Sequence, residues 1–329
     1  MGTNPSTGSE QRRARIGILL PTRGIVLKAG GGPVDAAPLL EMAQAAEALS
    51  LDSVWVGDSL LSKPRLEPLT TLAAVASRTS RVRLGTAILM AGMRQPVQLA
   101  QAVATLDILS RGRVVLAIGI GGVFTPALRN EWVAAGAPPA QRAGRLEELL
   151  VIMRRLWAGE AVTFQGRYFT LEDAALGLRP AQDSGVPLLL ACHHRTGSEA
   201  QYRRAARLAD GIISITDSPQ EFAQVLSKVR QVARQEGRDL DSAEAAYYMT
   251  VNLNADEEQA RQEAIEYATA YYGSNIGGDR WGPYGHPERV AARMREYAQA
   301  GATTLIVRFA SPDPLGQLDL FAREVLPGV

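Results

Sequence analysis

Residues 81–122, RVRLGTAILMAGMRQPVQLAQAVATLDILSRGRVVLAIGIGG, constrain the fold more than any other part of the chain. Residues 84–89 and 114–118 are short, unbroken apolar runs, the pattern of parallel strands buried on both faces. Between them Pro96 opens an amphipathic stretch in which Val97, Ala100, Ala104, Leu106 and Leu109 recur at helical spacing. Ser110-Arg111-Gly112 ends that stretch, as a helix stop signal should. The segment therefore predicts a strand–helix–strand unit. Both strands run into glycine, where a ligand can approach the backbone.

The same alternation runs along the rest of the chain. Strand-like segments are residues 16–20, 53–57, 83–89, 114–118, 187–191, 211–215, 245–253 and 304–309. Helical patterns occupy residues 36–49, 68–77, 96–109, 141–157, 198–209, 219–235, 256–272 and 287–300, with a closing segment at 317–325. Eight strand and helix pairs in strict alternation predict an α/β fold, a (β/α)8 TIM barrel rather than an open sheet. Connections longer than ordinary barrel loops follow the first strand (23–34), the fourth (121–139) and the seventh helix (273–286). Residues 159–185, containing the alternating VTFQGRYFTL, predict a small hairpin before the fifth strand. No Pro/Ser linker divides the chain, so residues 15–329 read as one domain behind a disordered tail, 1–14.

Charge excludes several function classes. The 35 Lys and Arg residues balance 34 Asp and Glu, and no basic run exists to recruit nucleic acid or an anionic membrane. The single cysteine, Cys192, has no internal disulfide partner, which suits a reducing compartment. The tail lacks the apolar centre of a signal peptide, and no apolar run reaches membrane-spanning length. A cytoplasmic protein acting on a small organic molecule is the expectation.

A barrel gathers the carboxyl ends of its strands around one mouth. The sequence places there Asp58 and Ser59, Thr86 to Ile88, Gly119 to Gly122, Cys192 to Ser198, Asp210 and Gly211, and Arg308. Gly119-Ile120-Gly121-Gly122 lacks the later glycine and acidic partner of a dinucleotide fingerprint, so close backbone approach to a flat ring is the better reading. Thr196-Gly197-Ser198 precede a helix and offer N–H groups and hydroxyls to an anion. Of the three histidines, His193 and His194 lie at the fifth strand's end, where either can serve as a base, and His286 is placed to cap a helix. No metal site is expected, since adjacent histidines lack ligand spacing and no acidic cluster completes a set. Cys192 next to an apolar strand reads as an inert thiol. Trp132, Trp281, Tyr284, Tyr271 and Tyr272 fall in or beside the long loops as candidate substrate walls.

The chain also resembles the luciferase-like monooxygenase superfamily of flavin and deazaflavin enzymes. The resemblance is carried by RLGT at residues 83–86, Pro96-Val97, TLDILSRGR at 105–113 and the G-x-G at 119–121, and extends over residues 16–327. It implies reduced FMN, supplied by a separate flavin reductase, reacting with oxygen to oxygenate a small organic substrate. It further implies a non-proline cis peptide at Ala87-Ile88 behind the flavin ring. Asp58, Thr86, Ala87, Ile88, Gly119, Ile120 and Gly121 would then surround the ring, and Arg195, Thr196, Gly197 and Ser198 its phosphate. Members often carry histidine after the acidic residue at the second strand's end. Here Ser59 stands in that place, and His193 or His194 is the candidate replacement. The deazaflavin F420, which moves hydride, is the alternative cofactor. GGVFTPALRNE at 121–131 lacks the glutamate and asparagine that follow the glycines in deazaflavin members, which favours FMN. A non-catalytic flavin-binding barrel is the third reading. Family members pair as homodimers, and the apolar helix at 96–109 is a candidate for that surface.

Overall fold

The computed structural model describes residues 13–195, 197–275 and 278–329. Eight parallel strands close into a barrel: β1 (Arg15–Leu19), β2 (Ser53–Val56), β3 (Arg83–Leu89), β4 (Val114–Ile118), then β7 (Leu188–Ala191), β8 (Gly211–Ile215), β9 (Glu244–Leu253) and β11 (Thr304–Phe309). Pairing of β11 with β1 completes the ring. The antiparallel hairpin β5 (Val162–Gln165) and β6 (Thr170–Ala174) stands outside it, and the short β10 (Tyr284–Gly285) pairs with the end of β9. The predicted TIM barrel is thus the observed fold, including the hairpin before the fifth barrel strand.

Around the barrel lie α1 (Gly24–Ala29), α2 (Ala37–Ala48), α3 (Pro68–Arg78), α4 (Pro96–Ser110), α5 (Pro126–Ala134), α6 (Arg142–Trp157), α7 (Glu199–Leu208), α8 (Pro219–Gln235), α9 (Glu257–Tyr272), α10 (Pro287–Gln299) and α11 (Pro314–Glu324). Proline opens six of these, α3, α4, α5, α8, α10 and α11, where its missing N–H costs nothing and its fixed φ favours the first turn. Two of the segments read as long loops contain helices. α1 lies inside 23–34, and α5 inside 121–139. The second forms because Thr125 caps the backbone N–H of Leu128, while Leu128, Glu131 and Trp132 turn one face inward. Tertiary burial decides such short helices, and it leaves little local signature.

Strand alternation separates two cores. Leu19, Trp55, Val115, Leu189, Ile213 and Ile306 point into the barrel, whereas Ile18, Val54, Leu84, Leu116, Leu188 and Val307 face the helices. Trp55 fills the interior because glycine flanks it on both neighbouring strands. A Cβ on Gly85 would lie 2.1 Å from the Trp55 ring, and one on Gly17 would lie 2.7 Å from its Nε1.

The amino-terminal end of the barrel is closed by charge. Glu244 bonds Arg83 in a fork at 3.1 and 2.8 Å, pairs with Arg15 at 3.1 Å and accepts from Thr304 at 2.7 Å. Burial pushes this carboxyl up, but Arg83, Thr304 and Arg15 outweigh it and hold it below its ordinary value. Nearby, Glu47 accepts backbone N–H groups of Ser80, Arg81 and Val82, tying α2 to the start of β3. Burial raises its pKa, and those N–H groups bring it down to about 2. Because the folded value lies below the unfolded one, this carboxylate stabilises above about pH 4.5, and the effect fades as pH falls toward 2. In Glu47→Gln, melting temperature should therefore vary less between pH 5 and 2 than in the parent, which thermal denaturation across that range will show.

Candidate active site

The carboxyl ends of the barrel strands enclose a cavity of about 200 Å³. Its apolar floor is Leu19, Ala87, Ile88, Ala191, Ile213 and Ile215. The Ala87-Ile88 peptide is cis, and the register between β3 and β4 slips there, so a bulge projects Ile88 into the mouth. Asp58 and Met90 form one wall, His193 and Ser214 another, and Lys63, Arg65, Tyr271 and Tyr272 the roof.

Asp58 is committed to holding the mouth together. Its carboxylate pairs with Arg94 at 2.6 Å and accepts the Met90 N–H at 2.9 Å, linking the ends of β2 and β3. Burial lowers the Arg94 pKa, but its bond to Asp58 more than compensates and raises it.

His193 is the imidazole on the cavity. Its Nδ1 lies 3.3 Å from the Ser214 hydroxyl, which donates to the buried Asp217 carboxylate at 2.6 Å. Since the serine proton is given to Asp217, the neutral ring must donate from Nδ1, leaving its other nitrogen as the acceptor. Burial lowers the His193 pKa, with Asp217 and the Ile215 carbonyl pulling upward. His194 points elsewhere. It is exposed and faces Glu221 at 3.8 Å, a carboxylate also engaged by Arg280.

Other candidate residues fall outside the cavity lining, for identifiable reasons. Thr86 is buried, and its hydroxyl donates to the Ala117 carbonyl. The room expected above Gly119 is taken by protein, since a Cβ there would lie 2.1 Å from Ile88 Cδ1. Gly121 has φ +71 and abuts Trp132, while Ile120 is half-buried. Ser59 is spent on the fold. Its hydroxyl donates to Glu131 at 2.9 Å and accepts the Lys63 N–H at 3.0 Å.

At the start of α7, Arg195 and Ser198 are exposed, and Ser198 makes no side-chain cap. Gly197 is pressed against the His193 carbonyl, which also accepts from Gln201 and Tyr202. Thr196 lies outside the described residues. Burial drives the Cys192 thiol up to about 12, so it stays protonated. His286 occupies the cap position of α10 without a side-chain capping bond. Trp132 is fully buried under Gly121 and forms no substrate wall.

Sequence reasoning passed over two features of the mouth. The first is Glu131, wholly buried on α5, whose Oε2 accepts from Ser59, Leu61 N and Ser62 N. The asparagine and glutamate sought directly after the β4 glycines stand further on, at Asn130 and Glu131. The second is a larger cavity of about 680 Å³ between α1, α9 and the segment after β11, sharing Leu19 and Tyr271 with the first. Arg308, 1% exposed, lines it amid the rings of Tyr248, Tyr267, Tyr271, Tyr272 and Trp281. Among the described residues no cluster suited to a metal ion is present, and no helix is long and apolar enough to cross a membrane.

This barrel, with a bulged third strand and a cavity at its carboxyl mouth, has the architecture of an α/β-barrel enzyme. The luciferase-like monooxygenase family profile matches residues 14–281, so the chain belongs to that family and is an oxidoreductase. It is 31% identical over 319 residues to an F420-dependent glucose-6-phosphate dehydrogenase of Kineococcus radiotolerans, covering 88% of this chain and 92% of the relative. A protein of the same name from Amycolatopsis mediterranei is 29% identical, with 90% and 94% covered. Among solved structures, an F420-dependent secondary alcohol dehydrogenase superposes with TM-score 0.80 at 24% identity, covering 96% of this chain and 99% of the other. The monooxygenase RslO1 from Streptomyces bottropensis superposes with TM-score 0.78, also at 24% identity, covering 95% and 99%.

Glu131 fixes the loop that carries Lys63. Glu131→Ala should cost about 1–3 kcal/mol by stripping Ser59 and two backbone N–H groups of their acceptor. Faster amide exchange at Leu61 and Ser62 should accompany the loss. Unchanged exchange there would show that the loop holds its shape without the clamp.

Proposed function

We propose that the chain is an F420-dependent oxidoreductase that removes hydride from a small hydroxylated substrate. The observation that carries this reading is the likeness to F420-dependent dehydrogenases over nearly nine-tenths of the chain. It outweighs the preference for reduced FMN and oxygen, which rested on the residues after β4. Asn130 and Glu131 weaken that preference further.

The residues at the mouth suit such a cofactor. An apolar floor with a projecting bulge accommodates a flat ring, and Arg195 and Ser198 at the start of α7 offer unspent donors to an anionic tail. A bound deazaflavin would supply the hydride acceptor. The protein's part is to seat the ring against Ala87 and Ile88, to limit water and to accept a proton. His193 is placed for the last task, because its neutral form keeps one ring nitrogen free to take the substrate hydroxyl proton. Ser214 and Asp217 hold the tautomer and stabilise the imidazolium that results. His193 thus fills the role that Ser59 lacks the basicity to perform.

The test is F420 reduction, followed by its visible absorbance, across a panel of small alcohols and sugars under anaerobic conditions. Reduction with at least one of them is expected, and His193→Gln should lower kcat by about 10²–10⁴. Substrate oxidation that requires FMN and oxygen would instead establish the monooxygenase reading. Since burial lowers the His193 pKa, its basic form persists below the ordinary 6.5. The acid limb of kcat/KM should accordingly fall below that pH and vanish in His193→Gln.

A further inference from the structure

Four basic side chains converge on Tyr271 and Tyr272 from three places in the chain. Arg23, after β1, lies 5.3 Å from the Tyr271 ring centre, and its Nε donates to the Tyr271 carbonyl at 2.9 Å. Lys63 and Arg65, on the loop after β2, lie 4.7 Å over Tyr272 and 5.5 Å over Tyr271. Arg308, at the end of β11, lies 5.2 Å from both rings and, among the described residues, hydrogen-bonds the Thr250 and Tyr272 hydroxyls. Among the described residues none of the four has a carboxylate in salt-bridge contact. Arg94 pairs with Asp58 and Arg83 with Glu244, whereas Arg113 and Arg145 are held by backbone carbonyls.

This grouping is costly as it stands. Arg23 and Arg308 are 8% and 1% exposed, and a buried cation without a counter-charge is destabilising. A cation over an aromatic face recovers only about 0.5–2 kcal/mol. Burial lowers the Lys63 pKa first, and the repulsion of Arg65, Arg23 and Arg308 adds to the effect. The carboxylates that line the larger cavity, Asp35, Glu263, Glu266 and Asp313, accept from neutral donors and, among the described residues, none is in salt-bridge contact with the four cations. An anionic ligand reaching the rings would supply the contact counter-charge that the protein does not.

Strand order says which ligand. In the closed barrel β7 lies four strands from β1, on the opposite side of the mouth. A cofactor tail at the start of α7 leaves the side of β1, β2 and β11 to the substrate. We propose that Lys63 and Arg65, backed by Arg23 and Arg308, form a binding site for an oxyanion, a phosphate or carboxylate carried by the substrate, where the two cavities meet. The site's assignment to the substrate rests on the proposed function; its affinity for an anion does not.

Inorganic phosphate titrated into the full-length protein is the probe, read by tryptophan fluorescence, since Trp281 lies 4.8 Å from the Arg308 guanidinium. Saturable binding is expected. Lys63→Gln/Arg65→Gln should weaken it at least about tenfold, while Arg129→Gln, exposed on α5 and lining neither cavity, leaves it within about twofold. Both Lys63 and Arg65 are half-buried loop residues, and melting temperatures of the variants establish that they fold. Absence of saturable binding, or equal binding by the double variant, would overturn the site. Competition between phosphate and F420 would give these cations to the cofactor and overturn the substrate assignment. If F420 fails to bind, as read from its own absorbance, the proposed function falls while phosphate binding still decides the anion site.

Discussion

Closure of the sheet between β1 and β11 is the constraint on which everything else rests. Residues 15–18 pair in register with residues 304–307, joining the two ends of the chain and turning an open sheet into a ring. Only a closed ring brings Leu19, Asp58, Ala87, His193 and Tyr248 to a single mouth. The closing seam is secured on its amino-terminal side by Glu244, which gathers Arg15, Arg83 and Thr304 from three strands. One end of the barrel is thus spent on holding the ring shut, with Arg15 and Arg83 paired to Glu244. The other end carries mismatched charge and open volume. This division between a stabilising face and a working face follows from parallel strands alone, because all their carboxyl ends emerge together.

The barrel was legible in the sequence because its strands are buried on both sides and so appear as unbroken apolar runs between glycines. Trp55 and its flanking Gly17 and Gly85 illustrate what was not legible. Each residue is unremarkable locally, and their relation exists only once β1, β2 and β3 lie side by side. The helix α5 was hidden for a similar reason, as its inward face is completed by contacts with the loop after β2. At the mouth, Asp58, Ala87, Ile88 and His193 were found by their position at strand ends. The glycines after β4 were noticed for close approach, and the protein groups that approach them are Ile88 and Trp132. A Cβ on Gly119 or Gly121 would collide with those side chains, a relation visible only once β3, β4 and α5 are packed together.

Of the cation group, only Arg308 was placed at the mouth from sequence, and its companions were not. Arg23, Lys63, Arg65 and Arg308 come from loops and a strand end separated by up to 285 positions, and what distinguishes them is their convergence on two neighbouring rings without a carboxylate in contact among the described residues. Pairing is a property of three-dimensional neighbourhoods. The chain has nearly equal numbers of acidic and basic residues, so its balanced total conceals a local excess of positive charge. Aromatic rings make that excess tolerable, since their faces accept cations without supplying a formal negative charge. They also keep the guanidinium of Arg308 in place while leaving its charge available.

The Glu131 clamp has a consequence for how such a protein diversifies. The insertion after β4 never enters the smaller cavity, yet its carboxylate fixes the backbone at Leu61 and Ser62, immediately before Lys63. Remodelling that insertion would shift the roof charges without altering one residue that lines the cavity. Ligand preference in this fold is therefore heritable through a peripheral module. A homologue with the same lining but a different insertion need not share its chemistry of recognition.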